Sequence, residues 1–322
     1  LTTPAQPRVP IGIVTPNDLP SVDFVRYAQA AENLGFDELW VVEDCFLNGG
    51  IAQAAVALAS TTRIRIGIGI LPAGARNVAF ASMDVATLAN LFPGRVTVGI
   101  GHGMPHWMRQ VGAWPASPLT LLAEYIEAMK AILSGTNLTS DGRYVKLRDI
   151  QLASPPTEAP AIYAGVRGPK SLAVSGRVAD GTLLAEPVTP EYLRAVREQV
   201  AAPRSRHKLA AYNVAAVDDR PEVARDLARL SLVWIGEPDW APHIAPLPFA
   251  QEFAELRASS ASKEEFAAAL PDEWVDQLAV VGTPDRAKAR LTELAQAGAD
   301  HLLLMPAGPD PFAMLPRLAR VL

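Results

Sequence analysis

Short β-branched runs alternate with longer amphipathic stretches from one end of the chain to the other, the pattern of strands that each lead into a helix. Val9 to Thr15 reads as a strand, followed by a helix over Val22 to Leu34 in which Phe24, Tyr27, Ala31 and Leu34 recur at helical spacing before Gly35 stops it. Strands are then expected over Glu38 to Val42, Ile64 to Leu71 and Arg95 to Gly101, separated by helices over Gly50 to Ala59 and Asn77 to Leu91. The Ile-x-Ile-x-Ile run of the third strand is read as facing a barrel interior. The alternation continues through a helix over Leu119 to Leu133, a strand over Ala161 to Val166, a short helix from Pro169 to Ser175 and a strand over Thr182 to Ala185. Tyr192 to Val200 and Leu209 to Val217 follow as helix and strand. Thr283 caps a last helix with Pro284 at its first position, where no N–H is needed; Gly298 ends it, and His301 to Met305 is the eighth strand. Eight strands alternating with helices predict an α/β fold of the (β/α)8 TIM-barrel type, in a single domain over residues 1–322.

One stretch breaks this rhythm. Residues 231–271 gather Trp234, Pro238, Trp240, Pro242, Pro246, Pro248 and Phe249, with Trp274 just beyond. That is too aromatic for a disordered linker and too proline-rich for one helix. It is read as an insertion before the eighth strand, serving either as a lid or as a dimer contact. No sequence repeat or low-complexity tract is found.

Composition narrows the function. With 29 Lys+Arg against 34 Asp+Glu the net charge is −5, so the basic surplus that binds nucleic acid is missing. No apolar run reaches the roughly 18 residues of a membrane span. The single cysteine, Cys45, excludes an intramolecular disulfide and favours a reducing, cytoplasmic setting; Leu1 to Pro10 carries no pattern of a secretory signal.

In such a barrel the chemistry sits just after the C-terminal ends of the strands. Four places stand out there: Glu43-Asp44-Cys45-Phe46, Gly69-Ile70-Leu71-Pro72, Gly99-Ile100-Gly101-His102-Gly103, and Gly165-Val166-Arg167-Gly168-Pro169-Lys170-Ser171. The last lies at a strand-to-helix junction, where free amides, the helix dipole, Arg167 and Lys170 would hold a phosphate; a simple tight turn is the competing reading. Gly99-x-Gly101-x-Gly103 is not a dinucleotide fingerprint, because Met104 and Pro105 stand where its helix would begin. His102 and His106 are broken apart by Gly103 and Pro105 and lack the HExxH glutamate, so no metal is expected. Asp44 is read as orienting a ring nitrogen, as an acid/base or as simply pairing with an arginine, and Cys45 as a pocket-lining residue or a thiol paired with His102.

In their order along the chain these motifs resemble the luciferase-like monooxygenase superfamily of flavin- and deazaflavin-dependent oxidoreductases. The matching pieces are Ala31-Glu32-Asn33-Leu34-Gly35-Phe36-Asp37-Glu38-Leu39-Trp40-Val41, Thr62-Arg63-Ile64-Arg65-Ile66-Gly67 and Pro93-Gly94-Arg95-Val96-Thr97-Val98-Gly99-Ile100-Gly101. They continue through Gly168-Pro169-Lys170-Ser171-Leu172, Ala179-Asp180-Gly181 and Val281-Gly282-Thr283-Pro284. The Gly-Pro-Lys segment and the Gly-Ile pair are most similar to the branch that uses coenzyme F420, such as methylenetetrahydromethanopterin reductases and F420-dependent dehydrogenases.

That resemblance implies an oxidoreductase moving a hydride between F420, at ring carbon 5, and a small organic substrate. It implies a non-prolyl cis peptide at Gly69-Ile70 forming a bulge behind the ring. Gly101, His102 and Gly103 would approach the ring or its ribityl chain, and Val166, Arg167, Gly168, Pro169 and Lys170 would hold the phosphate. Asp44, Cys45 and His102 would shape proton transfer. Two positions depart from the family's patterns: Cys45 stands where alcohol-oxidising members carry a histidine, and Val14 where the pterin reductases carry an acid. An unperturbed thiol near pKa 8.5 is a poor base at neutral pH. An FMN-dependent two-component monooxygenase, fed by a separate reductase, is the alternative within the class; a non-catalytic flavin- or deazaflavin-binding protein is the alternative outside it. A homo-oligomer, commonly a dimer, is implied by the same resemblance.

Overall fold

The fold is described from a computed structural model and covers residues 8–322; residues 1–7, on which the expectation about a secretory signal partly rests, lie outside the described residues. Eight parallel strands close into a barrel. They are β1 (Ile11–Val14), β2 (Glu38–Val41), β3 (Arg65–Pro72) and β4 (Val96–Gly101), then, after a small antiparallel hairpin of β5 (Leu138–Asp141) and β6 (Lys146–Ile150), β7 (Ala161–Gly165), β8 (Gly181–Leu184) and β9 (Lys208–Val217). A short β10 (Val280–Gly282) precedes the final barrel strand, β11 (His301–Pro306), which pairs with β1 and closes the ring. β9 is long enough to pair with β8 at its start and with β10 at its end, so β10 extends the wall where β8 stops.

Helices cover the outside: α1 (Phe24–Leu34), α2 (Gly50–Ser60), α3 (Val78–Leu91), the short α4 (Pro105–Gln110), α5 (Pro118–Leu133), α6 (Pro169–Val178), α7 (Pro190–Val200) and α8 (Pro221–Ser231). The expected insertion breaks into α9 (Ala241–Ile244), α10 (Ala250–Ser259) and α11 (Lys263–Ala268), followed by α12 (Asp272–Leu278). These helices have a core of their own against β9 and β10, built on Phe253, Phe266 and Val275, with Phe249 stacked on Trp274 at 4.7 Å. α13 (Pro284–Ala297) and α14 (Pro311–Ala319) complete the layer; Thr283 caps α13 through its side chain and Gly298 ends it. Among the described residues no helix is long and apolar enough to cross a membrane.

The alternation along β3 runs opposite to the sequence expectation. Ile66 and Ile68 point outward into the strand–helix core, and Ile68 reaches to 2.9 Å of where a Cβ on Gly50 of α2 would stand. Gly67 and Gly69 face the interior instead. The reason is space: the Trp40 ring lies against Gly67 and the Tyr212 hydroxyl against Gly69, so a side chain at either glycine would collide with an aromatic ring. Gly12 serves Leu303 in the same way at 2.7 Å.

The N-terminal face is held by carboxylates. Asp37, Asp180 and Asp300 each precede a strand, and each accepts an amide at the start of the neighbouring strand through its side chain: Ile11 at 2.8 Å, Ile162 at 2.9 Å and Leu209 at 2.9 Å. Their own amides return the bond to the carbonyls of those same three residues. Each carboxylate also meets a cation, Arg8, Lys130 and Arg197 respectively. Glu32 accepts the amides of Thr62, Arg63 and Ile64, and Arg95 donates to the carbonyls of Thr61 and Ile64. The family-like motifs around Glu32, Arg63, Arg95 and Asp180 therefore build the closed end of the barrel.

Just inside that end, Glu38 is 3% exposed and takes hydrogen bonds from Trp40 and Arg65, with the His301 Nδ1 at 2.9 Å and Tyr163 in turn on His301. Burial alone would raise the Glu38 carboxyl, but His301, Trp40 and Arg65 outweigh it and bring it down to about 2. A depressed carboxyl contributes stability that is full above the unfolded value near 4.5 and is lost as pH falls through about 2. Urea unfolding between pH 5 and 2 is therefore expected to show a loss that the E38Q variant does not share. At neutral pH, E38Q is expected to be less stable by about 2 kcal/mol, the scale for losing hydrogen bonds to a charged acceptor.

Candidate active site

The C-terminal ends of the strands carry the groups suited to chemistry. β3 has one extra residue there, since Ile68 to Leu71 spans only Val98 to Ile100 on β4. The Gly69-Ile70 peptide within this bulge is cis, as the resemblance implied. Two further cis peptides, Cys45-Phe46 and Glu186-Pro187, were not foreseen. The displaced Ile70 side chain rests on three glycines. A Cβ on Gly99 would lie 3.0 Å from its Cγ2, one on Gly101 2.8 Å from its Cδ1, and one on Gly165 would run into Cγ2. Gly99 and Gly101 thus make room for Ile70 at the barrel mouth, a role other than the phosphate loop their spacing superficially suggests.

Beyond β2, Glu43 forms a two-pronged ion pair with Arg76 at 2.5 and 2.8 Å and accepts the Gly50 amide at the start of α2. It anchors the loop, with three of its roughly four acceptor sites taken by Arg76 and Gly50. Asp44 is half-buried and takes one bond from Asn17 at 2.7 Å; burial raises its carboxyl, and Asn17 offsets part of the rise. Cys45 is pushed up as well, first by burial and then by the negative charges of Glu43 and Asp44. The thiol is held in its neutral form.

His102, at the end of β4, lies 3.2 Å from the Ser171 hydroxyl of α6, and burial lowers its basicity. Among the described residues no hydrogen bond joins it to Asp44 or Cys45. The three expected catalytic residues are therefore arranged around the mouth as separate groups, not as a relay. Gly103 adopts φ +71, with Met108 filling the space a side chain would need.

Gly168, at φ +80, caps α6, and Pro169 takes the first helical position. The amides of Lys170 and Ser171 in the first turn have no intrahelical acceptor. Lys170 is exposed, and Val166 is buried. Arg167 turns toward the insertion, its guanidinium 4.6 Å from the Trp240 ring and donating to the Asp239 carbonyl. No group of three or more His, Cys, Asp or Glu side chains is disposed to hold a metal among the described residues.

The sequence reading passed over the end of β8. Glu186 lies two residues past that strand and meets the same positional criterion that singled out the other four places. Two buried hydroxyls at the mouth, Thr15 and Tyr212, also have no hydrogen-bond partner among the described residues. A tyrosine inside a hydrophobic strand gives no such signal in sequence.

Comparison with known proteins places this geometry. The family model described as Luciferase-like monooxygenase matches residues 7–301. The 5,10-methylenetetrahydromethanopterin reductase of Methanolobus tindarius is 29% identical over 309 residues, covering 92% of this chain and 93% of that one. The reductase of the same description from Archaeoglobus fulgidus is 27% identical, with 93% and 94% covered. Among solved structures, the coenzyme F420 dependent tetrahydromethanopterin reductase from Methanopyrus kandleri superposes with a TM-score of 0.82 at 20% identity, covering 97% of this chain and 98% of that one.

The Ile70 seat yields a direct test. G165A is expected to destabilise the protein by about 1–3 kcal/mol through overpacking, and I70A to relieve most of that cost in the double variant. Urea unfolding of the four-member cycle measures the coupling, and additive effects would mean that Ile70 does not occupy this recess.

Proposed function

This chain belongs to the luciferase-like monooxygenase family, and we propose that within it the protein is an F420-dependent oxidoreductase transferring a hydride between the deazaflavin and a small organic substrate. The observation that carries the reading is the end-to-end match to the methylenetetrahydromethanopterin reductases. The mouth of the barrel suits such a cofactor. Two orphaned buried hydroxyls, Thr15 and Tyr212, border it, and the Gly69-Ile70 bulge provides an apolar wall.

In this reading Gly69 and Ile70 back the ring, and Gly101, His102 and Gly103 line its approach. Val166 and Gly168 shape the turn that presents the free amides of Lys170 and Ser171 to the phosphate, with Pro169 fixing the helix start and Lys170 and Arg167 adding charge. When bound, the deazaflavin supplies hydride chemistry at ring carbon 5. His102, neutral and tied to Ser171, orients without carrying charge. Asp44 handles a proton, and Cys45 lines the pocket as a thiol.

The finer surroundings are proposed on separate grounds. Val56 of α2 and Phe80 and Met83 of α3 are exposed apolar side chains on neighbouring helices, which supports a homodimer formed through that face. The lone cysteine supports a reducing cytoplasmic setting. No reductase partner is needed if F420 arrives already reduced.

Fluorescence titration of the purified protein with F420 and with FMN tests the cofactor. Selective F420 binding is expected, weakened about tenfold by K170A through loss of a charge-assisted hydrogen bond. Selective FMN binding would instead support the monooxygenase reading. Light scattering is expected to give twice the 34.4 kDa chain mass, falling to the monomer in the F80E/M83E variant; a wild-type mass of 34.4 kDa would refute the dimer.

A further inference from the structure

A cleft of about 380 Å³ opens at the closed end of the barrel, where the ends of α5 and α6 meet the loop from α7 to β9. Its volume falls within the roughly 300–1,000 Å³ of small-molecule sites. Lys130, Arg177, Asp180, Arg206 and His207 supply its polar lining, while Gly176, Ala179 and residues 201–203 keep the space between them clear. His207 forms a neutral floor. It is 1% exposed, its Nε2 lies 2.8 Å from the Thr182 hydroxyl and its Nδ1 3.3 Å from the Ala179 carbonyl, and burial lowers its basicity.

Cations crowd this corner. Lys130 pairs with Asp180, whose carboxylate also takes the Ile162 amide, so the acid of the lining is answered in place. Behind it Asp300 serves Arg197, Arg204 and Lys208 together, and Arg197 donates to the His207 carbonyl as well. Arg177 and Arg206 are exposed and have no ion pair among the described residues. Six cations therefore share two carboxylates, in a chain whose net charge is −5. Part of this has a structural reason. Lys130, Arg177 and Arg197 stand in the last turns of α5, α6 and α7, where a positive charge offsets the partial negative charge of a helix end. Arg206 belongs to no helix: its amide closes a turn on to the Pro203 carbonyl, and its side chain borders the cleft. Like charges brought this close repel one another, and an anion between them relieves the repulsion.

We propose that this cleft is a binding site for a small polyanion, a molecule bearing a phosphate or several carboxylates, held between Arg177 and Arg206 with Lys130 beside them. A guanidinium meets such oxygens with two parallel N–H donors, and here two guanidiniums from separate segments, α6 and the 201–207 loop, reach one space without a partner of their own. The site is separate from the candidate active site. α6 runs from Pro169, at the proposed cofactor turn, to Val178 beside the cleft, ten residues or about 15 Å. The ligand therefore binds from outside the hydride chemistry, and the inference stands independently of which cofactor the mouth accepts.

Titration calorimetry with inorganic pyrophosphate and with citrate, each against sodium chloride at equal ionic strength, tests the site in the absence of cofactor and substrate. The wild type is expected to bind at least one of the two with a Kd of about 1 mM or below. R206Q, which removes the cation that no helix end explains, is expected to weaken that binding about tenfold, and R177Q/R206Q to abolish it. Both side chains are exposed, so the fold is expected to survive, with the urea midpoint of each variant near that of the wild type. K170A, changed at the barrel mouth, is expected to bind as the wild type does. Preference for pyrophosphate assigns a phosphate-bearing ligand, and preference for citrate a polycarboxylate. No binding of either anion by the wild type, undiminished binding in R177Q/R206Q, or loss of binding in K170A overturns the proposal.

Discussion

The inside of the barrel is crowded by Trp40, Tyr163 and Tyr212, and the closed ring of eight strands admits these rings only where facing positions carry no side chain. Gly67 and Gly69 are that concession on β3, and the third-strand isoleucines are turned outward as a result. The same economy of space operates one layer higher. Ile70 is thrown inward by the bulge and is seated on Gly99, Gly101 and Gly165, so the floor of the candidate site is fixed by the packing beneath it. A site built on such a floor has little freedom to shift, which is what hydride transfer between two closely apposed rings or carbons requires.

The two ends of the barrel divide the labour. At the closed end, carboxylates are saturated: Glu32, Asp37, Asp180 and Asp300 each accept main-chain amides, and most have a cation beside them. At the open end, Asp44 and Glu186 are half-buried with no ion pair among the described residues, and the Thr15 and Tyr212 hydroxyls have no hydrogen-bond partner there. Satisfied groups stabilise; unsatisfied enclosed groups cost stability and persist where a ligand uses them. The contrast explains why the motifs that identify the family say little about its substrate here. Most of them belong to the saturated end.

The same contrast accounts for what could be read from sequence. The order of strands and helices, the Thr283–Pro284 helix start and the Gly298 stop follow from periodicity and capping, which are local. The hairpin of β5 and β6 and the three-residue β10 were missed because each is short, although Asp141-Gly142 is a turn signal. The facing of β3 was inverted because alternation alone cannot tell inward from outward when both faces are buried. Asp44 and Cys45 are singled out by their position after β2, and Glu186, which meets the same criterion after β8, was passed over because no neighbouring motif drew attention to it. Tyr212 and Trp240 become relevant only when distant parts of the chain are brought together.

The three aspartate clasps differ in how much chain each one closes. The clasp of Asp37 on Ile11 spans 26 residues and that of Asp180 on Ile162 spans 18, whereas Asp300 must find Leu209 across 91. The first two are neighbourly contacts that a growing chain can make early. The third encloses the whole insertion, so its entropy of closure is larger, and the insertion's own aromatic core shortens the loop that has to be closed. The Trp- and Pro-rich segment thereby draws together the two strands that the third clasp joins.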